Sequence, residues 1–269
     1  MRRRHLPGEG ARGPRRRRWQ ELREQRRRGI FLLPSLLTTG NLFCGFLALV
    51  LTAQQRFTEA AVSLFVAMIM DMLDGKVARL TKTTTQFGVE FDSLADVVSF
   101  GVAPAFMVYS LALAPLGRAA WLGAFLFVIC GALRLARFNV YTGVTDRRYF
   151  VGLPIPAAAG MVASVVLLVG GDDDLERWQA GLIAIGTYLV SLLMVSTFRY
   201  YSFKEIDLAR RRPVGLLLLV VLGVLIVATH PQWFLFALFS AYLLSGPTRP
   251  LWARRRDMLV PDKAPRDAH

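Results

Sequence analysis

The sequence predicts an all-α polytopic membrane protein on three observations. Of its 269 residues, 54% are hydrophobic and only 19% charged, with a mean hydropathy of +0.41. That balance lies outside the range of soluble domains. Apolar runs near the ~20 residues that cross a bilayer recur along the chain. The connections between those runs alternate in Lys and Arg content, the pattern that fixes orientation in a membrane.

The segment 1–29, "MRRRHLPGEGARGPRRRRWQELREQRRRG", is expected to be a disordered cytoplasmic tail that ends in a short interfacial helix around Trp19 to Arg28. Its first 28 residues hold twelve Arg and three Glu, which is most of the surplus behind the formal net charge of +14. It is too long for a signal n-region, and no cleavage site follows the first apolar run. Such a flank holds the N-terminus in the cytoplasm. It also suits anionic lipid headgroups. Basic tails can bind nucleic acid too, but no nucleic-acid partner is expected.

Eight spans are expected, near 31–53, 60–80, 94–114, 119–140, 153–170, 178–196, 214–230 and 232–248. Pro104 should kink the third. The last two, separated by "THPQW", read as a hairpin within residues 208–250. The loop "QQRFTE" carries one Arg and "GGDDDLER" is net acidic, so both face away from the cytoplasm. "RLARFNVYTGVTDRRYF", "FRYYSFKEIDLARRRP" and the C-terminal tail 251–269 are basic and cytoplasmic. Both termini are therefore expected inside. Cys44 and Cys130 fall in apolar runs without metal spacing and read as packing residues. His5, His230 and His269 lie far in sequence from the acidic residues described next.

The stretch "DMLDGKVARLTKTTTQFGVEFDSLAD", Asp71 to Asp96, puts carboxylates where lipid makes them costly. Asp71 and Asp74 are i, i+3 and share a helix face; Gly75 and Ala78 border it. Asp92 and Asp96 are i, i+4 at the start of the next span. An antiparallel return would let all four converge from two helices. Four carboxylates gathered without a cation would repel one another. Oxygen donors without His or Cys select hard ions. Two divalent ions would neutralise four aspartates and form a platform for a diphosphate. Gly75 and Ala78 leave room for a nucleotide against the helix, and Arg79 is placed for a phosphate. Asp71 lies about 16 Å into its span at 1.5 Å per residue, in the cytoplasmic half.

The spacing D-x2-D-G-x2-A-R-x8-G-x3-D-x3-D resembles the signature of the CDP-alcohol phosphatidyltransferase family at every fixed position, Gly88 included. The resemblance implies a six-helix catalytic core, here within residues 30–207, with the two-helix hairpin appended, and a homodimer. It implies Mg²⁺ or Mn²⁺, two ions, held by Asp71, Asp74, Asp92 and Asp96, with Asp96 also the general base. Gly75, Arg79 and Thr85 would contact the cytidine diphosphate part. Ser35, Leu36, Leu37, Thr38 and Asn41 would line the nucleotide pocket from the first span. For Thr38 and Asn41, capping or interhelical hydrogen bonding is an equal alternative.

Four further stretches, "LPSLLTTGNLFCGF", "CGALRLARFN", "FVGLPIPAAAG" and "FRYYSFKEID", resemble bacterial serine-using members of that family. The expected substrates are thus CDP-diacylglycerol and L-serine, at the inner membrane. Arg134 and Arg137, three apart and followed by Asn139, are candidates to bind the serine carboxylate; the alternative is that they snorkel as positive anchors. Glycerol 3-phosphate or inositol phosphate as acceptor, and a metal-ion transporter, are the competing readings.

Overall fold

A computed structural model describes residues 14–81, 85–141, 149–170, 175–201 and 229–259. Eight α-helices lie among these residues: α1 (Pro14–Ala53), α2 (Phe57–Thr81), α3 (Gln86–Asp96), α4 (Ala103–Val108), α5 (Arg118–Tyr141), α6 (Ile155–Val169), α7 (Arg177–Val195) and α8 (Pro231–Leu259). By length and composition, four stretches suffice to cross a membrane: Pro34–Ala53, Gln86–Leu116, Ala120–Val140 and Arg177–Val195. At 25 residues α2 has the length as well, but Glu59, Asp71 and Asp74 interrupt its apolar character. The apolar helix α6 is shorter, at 15 residues. The chain is an all-α polytopic membrane protein. The one departure among the described residues is a pair of three-residue strands, β1 (Tyr149–Val151) and β2 (Arg199–Tyr201), antiparallel with Phe150 opposite Tyr200.

Several expectations change in detail. The tail expected to be disordered through residue 29 is helical from Pro14, so the short helix at Trp19 to Arg28 belongs to the 40-residue α1. Arg, Glu, Gln and Leu are good helix formers, and the apolar run simply continues the helix they start. Residues 1–13, and the seventh span but for Thr229 and His230, lie outside the described residues. The last helix runs to Leu259, past the expected end near 248.

The third span does not simply kink at Pro104. It runs through α3, a π-helical stretch Val97–Val102, α4, a second π stretch Tyr109–Leu113 and a 3₁₀ turn Ala114–Leu116. Proline lacks an N–H, and its ring crowds the carbonyl four residues back. A wider turn just before it relieves that crowding. Ala103 N–H accordingly bonds to Val98 O, five residues back.

The helices approach closely through small side chains, the usual means of packing in a bilayer. Ala48, Ala60, Ala61, Ala67, Ala103, Ala158, Ala159 and Ala163 are all buried. Between them lie Leu64, Phe100, Met107, Phe127, Leu153, Ile155 and Met194, fully enclosed. Cys130 is in this core and Cys44 packs against it, both as free thiols. Gly45 permits the tightest approach near the acidic residues: a Cβ there would stand 2.6 Å from Ser99 Cα. Helix α1 and the first π stretch therefore meet backbone to backbone.

The "GLPIP" turn uses Gly152 at φ +80°, where a Cβ would also lie 2.3 Å from Met194 O. Gly152 N donates to Phe198 O (2.8 Å) and Leu153 N to Leu193 O (3.0 Å). The start of α6 is thereby fastened to the end of α7.

Candidate active site

Asp71 and Asp74 stand one turn apart on α2, and Asp92 faces them from α3. One carboxylate oxygen from each lies within 4.8 Å of the other two. Asp74 is buried; Asp71 and Asp92 are half-buried. Asp96 ends α3 one turn beyond Asp92 and is buried. It lies outside that triplet, although Asp71, Asp92 and Asp74 all act on it electrostatically. The four aspartates thus assemble as three plus one.

Helix α1 forms the third wall. Thr38 Oγ1 donates to Asp74 Oδ2 at 2.9 Å, and Asn41 Nδ2 donates to Asp96 Oδ1 at 3.2 Å. Thr38 and Asn41 are three apart and Gly45 seven beyond Thr38, so all share one face of α1. Ser99 Oγ donates to Asn41 O at 3.1 Å. Both Thr38 and Asn41 make interhelical hydrogen bonds, to the aspartates themselves. Ser35 lies on the same face and is half-buried, as is Leu37; Leu36 is turned away and 68% exposed.

Two buried acceptors in this region, Asp92 Oδ1 and Asn41 Oδ1, have no hydrogen-bond partner among the described residues. Buried acceptors without donors are rare and call for a missing partner. An all-oxygen carboxylate set with an orphaned oxygen suits a hard divalent cation. The residues present therefore fit such an ion.

Beside the cluster, Gly75 is exposed, and nothing lies within 4 Å of where its Cβ would be. Ala78 is half-buried. Arg79 Nε donates to Gly75 O at 2.8 Å from an exposed position. Thr85 caps α3: its hydroxyl accepts from Gly88 N at 3.1 Å. That cap fixes the start of the helix carrying Asp92 and Asp96.

On α5 the two arginines part company. Arg134 is buried, its guanidinium 5.7 Å from the Phe138 ring centroid. The charge of Asp96 acts on it electrostatically. Arg137 instead donates from Nη1 to Val195 O at the end of α7 (3.2 Å). Asn139 Nδ2 donates to Ser93 Oγ at 2.9 Å, which ties α5 to α3 between Asp92 and Asp96.

Residues 31–195 match the CDP-alcohol phosphatidyltransferase family. The chain belongs to that family. It is 39% identical over 223 residues to the CDP-diacylglycerol–serine O-phosphatidyltransferase of Helicobacter pylori strain 26695, covering 83% of this chain and 92% of that one. The Bacillus subtilis protein of the same name is 36% identical over 173 residues, 64% of this chain and 92% of its own. The archaetidylserine synthase of Methanothermobacter thermautotrophicus is 41% identical over 170 residues, 62% of this chain and 69% of its own. The family match ends before β2 and α8, so Tyr200 and Tyr242 lie beyond it.

Sequence reasoning missed Ser99 and Ser93. Ser99 follows the phosphatidyltransferase motif by three residues, and its position near Asp96 was a usable signal.

Proposed function

We propose that this phosphatidyltransferase moves the phosphatidyl group of CDP-diacylglycerol to L-serine, giving phosphatidylserine and CMP. The reading rests on the carboxylate cluster of Asp71, Asp74 and Asp92, with Asp96 buried beside it under the Asn41 hydrogen bond. The names of the relatives supply the acceptor.

In this reading Asp96 takes the proton of the serine hydroxyl. The serine oxygen attacks the lipid-side (β) phosphorus as the bond from that phosphorus to the bridging oxygen of CMP breaks, and CMP leaves. Mg²⁺ or Mn²⁺, as two ions held by Asp71, Asp74, Asp92 and Asp96, supplies positive charge to the diphosphate when bound. Thr38 and Asn41 orient the carboxylates of Asp74 and Asp96. Gly75 and Ala78 leave the nucleotide its place, with Ser35, Leu37, Arg79, Thr85 and Gly88 around it. Arg134 meets the serine carboxylate. Arg137 and Asn139 hold the cytoplasmic end of α5 in register with α7 and α3.

Residues 30–207 form the catalytic domain, in the bacterial inner membrane with both termini cytoplasmic, as a homodimer. The basic flank keeps the enzyme on anionic lipid. Loop charge supports the orientation, and the Arg content of the tail supports the lipid contact.

The test is CMP release. Protein in detergent with Mn²⁺ and CDP-diacylglycerol receives L-serine, glycerol 3-phosphate or inositol phosphate in turn. Release with L-serine alone is expected. Release only with another alcohol would overturn the acceptor, and no release with any would overturn the reaction.

A further inference from the structure

Helix α3 carries Asp92 and Asp96 but leaves one face exposed, at Phe87, Glu90 and Leu94. Helix α5, by contrast, is firmly seated. A Cβ on Gly131 would lie 2.6 Å from Ile155 Cδ1 of α6, and one on Gly123 would lie 3.0 Å from the Tyr188 ring of α7. Arg137 Nη1 adds its bond to Val195 O. From this anchored helix Asn139 Nδ2 reaches Ser93 Oγ of α3 at 2.9 Å, across 46 positions of sequence. A serine hydroxyl has one hydrogen to give. That of Ser93 goes to Val89 O at 2.9 Å, which leaves the Oγ lone pairs to accept from Asn139.

At about 100° per residue, Asp96 lies about 40° round the helix from Asp92, and Ser93 about 100° in the same sense. Asp96 therefore lies between the edge that faces Asp71 and Asp74 and the edge that Asn139 holds. Whatever sets the rotation of α3 about its axis sets the direction of both acids. The carboxylates themselves oppose that setting. Oxygens of Asp71, Asp74 and Asp92 stand within 4.8 Å of one another, and like charges so close repel. Until a cation arrives, repulsion turns Asp92 away from α2. A neutral amide on a neutral hydroxyl resists that turn. It takes up no carboxylate oxygen, so it persists when an ion binds.

We propose that Asn139 and Ser93 are positioning residues for the ion site: their bond fixes the rotation of α3, so that Asp92 faces Asp71 and Asp74 before a divalent cation binds. This rests on the carboxylate site proposed above and is independent of which alcohol is the acceptor. It makes Asn139, expected from sequence at the acceptor, a determinant of cation affinity instead.

The test is Mn²⁺ occupancy, read by electron paramagnetic resonance on folded protein in detergent, without CDP-diacylglycerol or alcohol. Ser93→Ala removes the acceptor and Asn139→Leu the donor. Each is expected to raise the Mn²⁺ concentration for half-occupancy about threefold to tenfold, the weight of one hydrogen bond. Ser93→Thr keeps the hydroxyl and should bind as wild type does. The double variant should be no weaker than Asn139→Leu alone, because both changes remove the same bond. A bond that served only the fold would destabilise ion-free and ion-loaded protein equally, and would leave the occupancy of folded protein unchanged. Unchanged half-occupancy in both single variants, effects that multiply in the double variant, or a Ser93→Thr variant as weak as Ser93→Ala would each overturn the proposal. Should one single variant fail to fold, the half-occupancy of the other decides. Wild-type protein that takes up no Mn²⁺ would instead refute the ion site on which the proposal rests.

Discussion

Asn41 Nδ2, on the first span, donates to Asp96 Oδ1 at 3.2 Å across 55 positions of sequence. The proposed base is therefore aimed by a span, Pro34–Ala53, that carries no acid of its own. Ser99 Oγ grips the Asn41 carbonyl from the π stretch that follows Asp96. The bond and the grip close a small circuit between α1 and the third span.

Breaking that circuit should lower turnover without unfolding the protein. Asn41→Leu keeps volume and removes the donor. The expected kcat for CMP release falls at least about tenfold, part of what general-base catalysis contributes. Detergent melting should still show one cooperative transition. Wild-type kcat in this variant would refute the aiming role.

The orphaned Asp92 Oδ1 makes Asp92 the sharpest probe of the ion site. EDTA is expected to abolish CMP release and Mn²⁺ to restore it. Asp92→Asn should raise the Mn²⁺ concentration for half-maximal activity by well over tenfold, since even indirect partners of a metal shift affinity by about 10–100-fold. Electron paramagnetic resonance of bound Mn²⁺ reads the same loss without turnover. Equal Mn²⁺ occupancy in the variant would remove Asp92 from the ligand set.

Gly45 and Gly75 should respond in opposite ways. Gly45→Ala drives a methyl to within 2.6 Å of Ser99 Cα. Overpacking of this kind destabilises by about 1–3 kcal/mol, and here it also pushes the third span off α1. Both melting temperature and kcat are expected to drop; a variant as stable as wild type would mean the two helices can part freely.

Gly75 faces open space. Gly75→Leu should not lower the melting temperature, because leucine is the better helix former. It should raise the KM for CDP-diacylglycerol about tenfold or more by filling the nucleotide's place. An unchanged KM would move the nucleotide elsewhere.

The acidic cluster was readable because its spacing is local: i, i+3 on one helix and i, i+4 on the next determine which face each carboxylate shares. Thr38 and Asn41 were readable only as polar residues in a span, since nothing in a single helix says which neighbour it will meet. The π stretches around Pro104 were not readable. Val, Ser, Phe and Gly suit either pitch, and a proline signals crowding without saying whether a kink or a wider turn relieves it. The strand pair Tyr149–Val151 with Arg199–Tyr201 was not readable, because each partner is only three residues long and the pairing spans two helices. Arg134 and Arg137 looked equivalent by spacing; the Phe138 ring against the first and the Val195 carbonyl on the second set them apart.

The three clustered acids, Asp96 and the two side chains bonded to Asp74 and Asp96 all come from residues 38–96, whereas Arg134, Arg137 and Asn139 come from α5. Under the roles proposed above, the chain divides into two halves with separate tasks, joined by the Asn139–Ser93 bond. Its first half can be kept for bond-making while its second half drifts toward a different alcohol. Chimeras joined between α4 and α5 would swap substrate preference and leave the reaction itself inherited intact.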